Sequence, residues 1–399
     1  MIELRGKYNS TKVFTDNIEQ TAVDQIIELC NQEFLKDSKV RIMPDCHAGA
    51  GCTIGTTMTI KDKVVPNLVG VDIGCGVGVV KISNKDIDFA KLDKVIRKYI
   101  PFGQEVRKSS HKNANQFESN LIKLKCFNNI NFNRAVLAIG TLGGGNHFIE
   151  MNKDLNDNLY LVVHTGSRYL GKQVAKYYQD LAYKSLLDKK LNKKEIIDKL
   201  KKEGREKEIE RELNNIKTND IKINKELAYV EGINFDNYIN DMKITQKFSS
   251  LNRKTIIDII VEKMNFDVVE SFETIHNYID IENMILRKGS ISARLGEKLI
   301  IPINMADGSL ICIGKGNEDW NYSAPHGAGR LMSRGKAKEL VTIDEFQERM
   351  KGIWSTSVTP NTIDESPMAY KNIEEIMANI EDTVEIVDII KPLYNFKAN

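Results

Sequence analysis

Short apolar runs broken by glycine and proline alternate along this chain with longer stretches of helical periodicity. Between residues 41 and 83, the runs RIMPDCHAGAGCTIGTTM and VVPNLVGVDIGCGVGVVKI predict strands separated by turns. Strand-like runs return later in SFETIHNYI, EKLIIPIN and SLICIGKGN. TAVDQIIELC and a charged segment at about 86–124 have the spacing of amphipathic helices. Because strands and helices are intermixed, the pattern predicts an α+β fold.

Three segments beside polar turns carry more specific predictions. The apolar run before Asp72 is interpreted as a buried strand that leads Asp72 and Cys75 into a glycine-flanked turn. AVLAIGTLGGGNHFIE, at 135–150, is interpreted as a strand entering a glycine loop, and LVVHTGSR, at 161–168, as a strand ending in a polar turn. Since a rigid scaffold presents reactive side chains at strand ends and in loops, these turns are candidate site positions.

Residues 172–265 differ from the rest because they are rich in lysine and glutamate and have helical spacing. We interpret them as a solvated helical excursion. The alternative is a basic RNA-binding arm, although acidic residues are interleaved throughout. Strand-like runs lie on both sides of this region, which predicts one domain over 1–399 with a helical insertion.

Composition limits the partners and the compartment that we expect for this chain. The 399 residues carry a net charge of +2, so any binding of a polyanion must come from local clusters. No signal peptide and no apolar run of about 18 residues is found, which predicts a cytoplasmic protein without membrane association. The six cysteines form no CxxC pair and are expected to be thiols, with one or two used as ligands.

Histidines are few, and five of the six fall in turns marked by Gly, Asp or Asn: His47, His147, His164, His276 and His326. His111 lies in a polar helical stretch and is expected at the surface. Together with Asp72 and Cys75, the turn histidines offer oxygen, nitrogen and sulfur ligands. Ligand softness favours zinc, with manganese or iron as alternatives, and a bridging thiolate would hold two ions near one phosphate. The alternative for the Cys75 turn is a buried cysteine that packs as a small apolar residue.

Two further features suggest phosphate chemistry. The glycines of TLGGGNHFIE allow backbone N–H groups to converge on an anion, and Asn146 adds a donor, although a tight turn explains the same pattern. His326, in SAPHGAGR, is a candidate nucleophile that would form a phosphoramidate, with metal ligation or general-base catalysis as alternatives. Nearby Arg330 and Arg334 would either neutralise phosphate or be solvated.

Eight of these motifs occur together in an order that resembles one family, the RtcB-type RNA ligases. They are MPDCHAG, VGVDIGCG, LGGGNHFIE, HTGSR, AYVEG…DMKITQKFSSLNR, IHNY, RKG and SAPHGAGR. The resemblance runs from about Arg41 to the C-terminal lysine. It implies packed, mostly antiparallel sheets flanked by helices, two Mn²⁺ ions (with Zn²⁺ as the alternative in purified protein), GTP as cofactor, and a guanylylated histidine.

Carried onto this sequence, the resemblance assigns site residues. One ion would be held by Asp72, Cys75 and His147, and the other by Cys75, His164 and His276. His326 matches the nucleophile, and Arg168 is similar to an arginine that contacts RNA phosphate. The implied nucleotide-binding set is Asn146, His147, Phe148, Ile149, Glu150, His276, Asn277, Pro302, Ile303, Asn304, Met305, Ser309, His326, Gly327, Ala328, Gly329, Tyr370 and Lys397.

The implied reaction joins an RNA 3′-phosphate or 2′,3′-cyclic phosphate to a 5′-hydroxyl through His326-GMP, in RNA repair or tRNA splicing, with an activating protein as an optional partner. Two departures stand out: the chain is shorter than a typical splicing ligase, and 302–306 read PINMA where the family has a PGSMG-like turn. They suggest a compact branch used in RNA repair, with altered guanine contacts. The alternatives are a metal-dependent RNA phosphoesterase that needs no guanylylation, a catalytically weak RNA-binding factor, and a structural protein.

Overall fold

A computed structural model of the chain describes residues 1–191, 193–215 and 223–398. The strands in these ranges are β1 (Ile2–Arg5), β2 (Ser10–Val13), β3 (Val40–His47), β4 (Ile54–Thr59), β5 (Lys63–Val64), β6 (Gly76–Ile82), β7 (Phe148–Lys153), β8 (Leu159–Thr165), β9 (Val230–Glu231), β10 (Val268–Ile275), β11 (Tyr278–Asp280), β12 (Ile285–Lys288), β13 (Ser290–Ser292), β14 (Lys298–Asn304), β15 (Gly308–Gly314), β16 (Ser323–Pro325) and β17 (Val384–Phe396). The α-helices are α1 (Gln20–Cys30), α2 (Pro66–Val69), α3 (Phe89–Tyr99), α4 (Lys112–Leu121), α5 (Phe132–Ala138), α6 (Arg168–Lys190), α7 (Lys193–Lys202), α8 (Ile209–Asn215), α9 (Ile233–Met264), α10 (Arg334–Leu340), α11 (Ile343–Arg349) and α12 (Ile373–Ile380).

Two large sheets organise these elements. The first has six strands in the order β1-β2-β3-β4-β12-β11, and the second has seven in the order β10-β6-β8-β7-β17-β15-β14. Neighbouring strands are antiparallel throughout both sheets except for the parallel pair β2–β3. The predicted α+β fold with mostly antiparallel sheets is therefore confirmed.

The second sheet curls until its two edge strands meet. The backbone N–H of Ile300 in β14 donates to Thr274 Oγ1 in β10 at 3.1 Å, and Lys298 pairs with Glu270 at 2.6 Å across the same seam. The enclosed face packs an apolar core that includes Val79. The opposite face of the sheet packs on α3 and α9 through a second core. Strand alternation therefore gives this sheet two buried faces.

The structure corrects the predicted strand before Asp72. The run is instead the short helix α2, which has proline at its first position and is followed by the C-cap Gly70, where φ is +100°. Strand β6 begins at Gly76, so Asp72 and Cys75 precede the strand rather than follow one. Proline is favoured at the first helical position and glycine at the end, and this asymmetry outweighed the apolar run.

Two other predicted elements also differ. The predicted strand at the start of 135–150 is wrong, because Phe132–Ala138 form α5, whose N-cap Asn131 accepts from the Arg134 N–H. A short apolar run is ambiguous between helix and strand by periodicity alone, and here the cap decided the outcome. The predicted helical segment at 86–124 is two helices, α3 and α4, separated by a loop. His111 is the N-cap of α4 and is partly exposed.

The region predicted as a solvated excursion is helical but is not solvated throughout. Helix α6 already begins at Arg168, and α9, 32 residues long, has buried residues along most of its length. Ile256 and Ile260 of α9 are fully buried beneath the second sheet. The solvated interpretation is therefore wrong for α9. Residues 192 and 216–222 of this region lie outside the described residues.

A buried asparagine of α9 binds two loops at once. Asn252 Oδ1 accepts from the backbone N–H groups of Gly140 and Thr141 at 2.8 and 3.0 Å. Its Nδ2 donates to the carbonyls of Thr141 and Gly166, both at 3.1 Å. Buried backbone groups in irregular segments need partners of this kind, because no ladder supplies them.

Arg253 and Ser249 fix the loop that carries Asp72 and Cys75. Arg253 Nη1 donates to the carbonyls of Gly74 and Thr165 at 2.8 and 2.9 Å. Ser249 Oγ donates to the Ile73 carbonyl at 2.7 Å. Asn252 and Arg253 follow Ser249 by three and four residues, so the three polar side chains lie on one face of α9.

Replacement of Asn252 by alanine is expected to lower the free energy of unfolding by about 3 kcal/mol. It leaves several buried backbone groups without a hydrogen-bond partner, and each unsatisfied group costs about 1–3 kcal/mol. Urea titration measures the change. The matched control is Lys254→Ala on the same helix, where an exposed pair with Asp258 is worth less than about 1 kcal/mol. Equal stability of the two variants would contradict a role for Asn252 in holding the loops.

Candidate active site

The turn histidines and Cys75 converge because each lies at a strand end. Cys75 immediately precedes β6, and His147 immediately precedes β7. His164 lies next to the end of β8, and His276 and His326 follow β10 and β16. Antiparallel pairing of β6 with β8 and β10 brings the start of one strand beside the ends of its neighbours. The fold thus collects side chains that are far apart in sequence.

The thiol of Cys75 lies at the centre of a group able to hold a metal ion. Its Sγ is 3.4 Å from His147 Nε2 and 3.3 Å from His164 Nε2. All three ligand atoms lie within 4.8 Å of one another, and all three residues are buried. Asp72 Oδ2 is 3.0 Å from His147 Nε2, so a carboxylate borders the same group. One sulfur, two nitrogens and an oxygen form a donor set suited to a transition metal.

The imidazoles are oriented for ligation. His147 Nδ1 donates to the Leu142 carbonyl at 2.9 Å, and His164 Nδ1 donates to the Asn146 carbonyl at 3.2 Å. In each ring this turns Nε2 towards the Cys75 sulfur, and His147 Nε2 also faces Asp72 Oδ2. Backbone carbonyls commonly fix the tautomer of metal-ligating histidines in this way. The residues therefore fit a metal ion.

Burial sets the protonation of the group. It lowers the pKa of His164 well below its usual value, helped by the nearby His147, and it lowers the pKa of His276 in the same direction. Burial and the neighbouring Asp72 raise the pKa of the Cys75 thiol well above its usual value. Neutral imidazoles are ready to ligate, whereas the thiol proton is released when a metal binds.

His276 extends the group towards His326. Its backbone N–H donates to the Cys75 carbonyl at 2.8 Å, which fixes it beside the thiol loop. The ring centroid of His276 is 5.3 Å from that of His164 and 4.8 Å from that of His326. The four imidazoles therefore form a continuous row from His147 to His326.

Asp72 is held by the turn after β8. Ser167 donates to Asp72 Oδ1 from its backbone N at 2.7 Å and from its Oγ at 2.8 Å. Burial alone would raise the pKa of Asp72, but these hydrogen bonds and His147 keep it below its usual value. A Cβ on Gly166 would overlap the carboxylate, so the close approach requires glycine there.

Arg168 is also built into this centre. Its Nε donates to Thr141 Oγ1 at 3.1 Å and its Nη2 to the Gly103 carbonyl at 2.6 Å. Gly143 has a φ of +91°, and a Cβ there would overlap the Arg168 guanidinium and lie 2.7 Å from His147 Nδ1. The glycine loop thus packs directly on Arg168 and on His147 of the candidate metal group.

His326 is anchored by a residue that the sequence did not single out. Its Nδ1 donates to Asp45 Oδ2 at 2.7 Å, and its backbone N–H donates to the same oxygen at 3.2 Å. Asp45 is fully buried and lies in MPDCHAG, where His47 was the candidate instead. With Nδ1 bound to Asp45, the other ring nitrogen of His326, Nε2, is turned away from Asp45.

A cleft of about 730 Å³ lies beside His326 and has His164 in its wall. Most of the residues predicted to bind a nucleotide line it. They are Asn146, Phe148, Glu150, Pro302, Ile303, Asn304, Met305, His326, Gly327, Ala328, Gly329, Tyr370 and Lys397. His47, Arg330 and Arg334 line it as well.

Other members of the predicted nucleotide set do not line this cleft. Ile149 is fully buried in the core against α3 and α9. Ser309 is fully buried within β15. Asn277 uses its side chain to accept from Gly289 N–H at 2.8 Å and to donate to the Asp72 carbonyl at 3.3 Å. His147 and His276 face the Cys75 group instead.

Glu150 is the buried acid of the cleft. Its two oxygens accept from Asn395 Nδ2 at 2.6 Å and from Asn152 Nδ2 at 3.3 Å. Burial raises the pKa of Glu150 to about 7, although both amides and the charge of Lys397 oppose the rise. Neither asparagine was predicted, because strand alternation places them on this face only once the register is known.

A second acid, Glu365, collects the basic groups of the cleft. It accepts from Tyr370 Oη at 2.6 Å and pairs with Lys397 at 3.1 Å. Arg334 pairs with Glu365 and with Asp364, and Arg330 lies 3.5 Å from Glu365. Burial would raise the pKa of Glu365, but the charges of Lys397 and Arg334 lower it to about 2. Both arginines are thus held by acids rather than freely solvated.

A buried thiol among imidazoles, next to a histidine-bearing cleft, is a candidate metal site that borders a ligand-sized cleft. Comparison with known proteins gives the family. The profile of the family described as tRNA-splicing ligase RtcB matches residues 25–129 and 119–398. The chain belongs to the RtcB family.

Individual relatives agree along nearly the whole chain. The RNA-splicing ligase RtcB of Escherichia coli K12 is 30% identical over 412 residues, which cover 93% of this chain and 92% of that protein. The tRNA-splicing ligases RtcB of Aeropyrum pernix and Methanococcus maripaludis are each 26% identical, over 84% and 93% of this chain and 82% and 90% of theirs. Among the described residues, no helix has the length and apolar character needed to cross a bilayer.

Gly143→Ala is expected to weaken metal binding by about 10- to 100-fold, because displacing residues that orient metal ligands has effects of this size. The bound metal per chain, measured by plasma mass spectrometry after dialysis against a metal buffer, gives the change. The neighbouring Gly144→Ala is the control, since a Cβ there meets only the Gly103 Cα at 3.6 Å. Equal metal content in both variants would show that the glycine loop does not position the ligands.

Glu365→Gln is expected to lower the free energy of unfolding by about 3–5 kcal/mol at pH 7, because it leaves the buried Lys397 without its counter-charge. The folded-state pKa of Glu365 is depressed from 4.5 to about 2. Its contribution is therefore complete above pH 4.5 and is lost as the pH falls towards 2. Denaturation at several pH values from 7 to 2.5 should show that the difference in free energy of unfolding between wild type and variant becomes smaller.

Glu348→Gln is the control for this experiment. Glu348 pairs with Lys351 at 2.5 Å, with both side chains about 70% exposed. A surface pair of this kind contributes less than about 1 kcal/mol. A gap for Glu365→Gln that stays constant with pH would contradict the proposed charge pairing.

Proposed function

We propose that this chain is a GTP- and Mn²⁺-dependent RNA ligase that joins RNA 3′-phosphate or 2′,3′-cyclic phosphate ends to 5′-hydroxyl ends, in RNA repair or tRNA splicing. The names of its relatives support RNA ligation. The observation that carries the chemistry is the Asp45-bound imidazole of His326 at the cleft, one ring away from the Cys75 group.

His326 is the proposed nucleophile. With Nδ1–H donated to Asp45, the Nε2 lone pair attacks the α-phosphorus of GTP. A P–N bond forms, the P–O bond to the leaving pyrophosphate breaks, and GMP remains on the histidine. The ring becomes cationic in this step, and the buried carboxylate of Asp45 stabilises that charge while holding the ring in place.

The proposed ligands of the two ions are Asp72, Cys75 and His147 for one, and Cys75, His164 and His276 for the other. Bound ions would neutralise phosphate charge beside His326. Manganese is proposed from the family resemblance, with zinc as the alternative that the soft thiolate favours.

GTP is the proposed occupant of the cleft. The Tyr370 ring and the Lys397 ammonium line it together with Glu150, which offers a carboxylate to base N–H groups. The PINMA departure has a local role: Asn304 Oδ1 accepts from the N–H groups of Ala306 and Asp307, both at 2.9 Å. Asn304 therefore closes the β14–β15 turn, and the proposed base contacts come from the other side of the cleft.

Sealing follows in two transfers. An oxygen of the RNA 3′-phosphate attacks the phosphorus of His326-GMP, the P–N bond breaks, and an activated RNA end forms. The 5′-hydroxyl then attacks the RNA phosphorus, releases GMP, and gives up its proton. A cyclic phosphate end is first hydrolysed to a 3′-phosphate. Arg168 is the proposed contact for RNA phosphate in these steps.

We also propose that residues 1–399 act as one catalytic domain in the cytoplasm, with an activating protein as an optional partner. Chain crossing between the sheets supports one domain. Strands β11 and β12 complete the sheet of β1–β4. Strand β6 lies between β4 and β11 in the sequence but belongs to the other sheet.

Incubation with GTP labelled at the α-phosphate and Mn²⁺ should leave acid-labile, alkali-stable label on the wild-type chain and none on His326→Ala, because the P–N bond forms only at that imidazole. His111→Ala is the control, since His111 is a partly exposed helix cap. Asp45→Asn should label at least about 10-fold more slowly, given the usual contribution of groups that orient an activated imidazole.

Two results would favour the alternatives. RNA end-processing that persists without GTP and survives His326→Ala would indicate a phosphoesterase. RNA retention by protein that binds no metal would indicate a binding factor.

A further inference from the structure

Two arginines of the lysine-rich region that was the first candidate for RNA contact, Arg205 and Arg211, are paired with acids. Arg205 pairs with Glu203 at 3.0 Å and with Glu208 at 2.9 Å. Arg211 pairs with Glu208 and Glu212 at 2.5 and 3.3 Å. Within the described part of this region, the arginines therefore face acids rather than an open basic groove. A surface for the RNA strand is better sought beside the metal-binding group.

An exposed tyrosine follows, in the sequence, two residues that contact that group. Ser167 donates to Asp72, Arg168 packs on Gly143, and the next residue, Tyr169, is 47% exposed. The Arg134 guanidinium lies 5.5 Å from the centre of the Tyr169 ring. Nothing in the proposed GTP chemistry uses this aromatic ring.

Arg134 is held in place by its neighbours. Its Nη2 donates to the Gln104 carbonyl at 2.8 Å, and its backbone N–H donates to the cap of α5. A fixed guanidinium over a tyrosine leaves little side-chain entropy to be lost when a ligand stacks on the pair. The pair is thus a preformed platform of aromatic and cationic character.

A polar surface continues from this pair. Residues 128–133 expose four asparagine side chains, at positions 128, 129, 131 and 133. Gln173 of α6 pins the loop, accepting from the Asn131 N–H at 3.1 Å and donating to the Asn129 carbonyl at 3.5 Å. A shallow depression of about 470 Å³ lies between the loop and Gln173. Amide side chains offer donors and acceptors suited to bases and sugars.

We propose that Arg134, Tyr169 and the loop 128–133, here named the Tyr169 platform, bind the single-stranded segment of RNA next to the reacting end. The inference rests on the proposed RNA ligase function and adds a site to it. An unstacked base would lie on the Tyr169 ring, and Arg134 would contact a phosphate. Because every base has a flat face, the platform tolerates any sequence, as a ligase acting on different RNA ends requires.

Fluorescence polarisation with a labelled, mixed-sequence RNA of ten nucleotides bearing a 5′-hydroxyl tests the platform. Tyr169→Ala should bind about 10-fold more weakly, the typical effect of losing one stacked base. Tyr169→Phe should bind like wild type, because the flat ring is kept. Tyr8→Ala is the matched control: Tyr8 is 36% exposed with Lys7 4.9 Å from its ring centre, and it lies on the β1–β2 turn.

Salt dependence separates the two members of the pair. Arg134→Gln should reduce the slope of log affinity against log salt by about 0.7, the value for one phosphate contact to a single strand. Tyr169→Ala should lower the affinity at every salt concentration without changing that slope. Wild-type binding by Tyr169→Ala, or an equal loss in Tyr8→Ala, would overturn the inference.

Labelling with GTP separates this inference from the function on which it rests. All three tyrosine variants should form His326-GMP at the wild-type rate, which also shows that they are folded. RNA binding that depends on Tyr169 in a protein without guanylylation would refute the ligase mechanism and keep the platform. Normal guanylylation with RNA affinity indifferent to Tyr169 would refute the platform and keep the mechanism.

Discussion

The site depends on buried polar side chains of α9 that hold irregular backbone in place. Three segments are not part of a sheet: the loop that carries Asp72 and Cys75, the glycine loop, and the turn after β8. Their carbonyl and N–H groups therefore lack hydrogen bonds from a neighbouring strand. Asn252 and Arg253 satisfy them from below, at hydrogen-bond distances of 2.8 to 3.1 Å. Because one rigid helix binds all three segments, the positions of Asp72, Cys75 and His164 are coupled to one another.

The site has two adjoining halves, the Cys75 group and the cleft, and their electrostatic requirements are opposite. On one side, burial keeps the imidazoles of His164 and His276 neutral and lone pairs available. On the other side, buried acids hold cationic side chains at the cleft, as Glu365 does for Lys397. Asp45 joins the halves, since it anchors His326 with its carboxylate and receives His47 Nδ1 at its carbonyl, 3.0 Å away. Positive groups and neutral ligands thus coexist within a short distance.

The sequence was most informative where chemistry depends on strand ends. The histidines and Cys75 could be placed because glycine-marked turns follow or precede apolar runs, and the resemblance supplied their grouping. Local structure was harder: α2 and α5 were predicted as strands because short apolar runs such as AVLAI fit either periodicity. Asn252 and Asn395 could not be predicted, because their partners are defined by tertiary contacts that are 86 to 245 residues away in the sequence.

The position of β17 has a consequence for biosynthesis. This strand lies between β7 and β15, in the interior of the seven-stranded sheet, and Lys397 follows it directly. Until β17 has left the ribosome, β7 has an open hydrogen-bonding edge, and the cleft lacks its ammonium group. A nascent chain therefore cannot complete the sheet or the cleft, and the open edge of β7 needs shielding from other strands while translation proceeds.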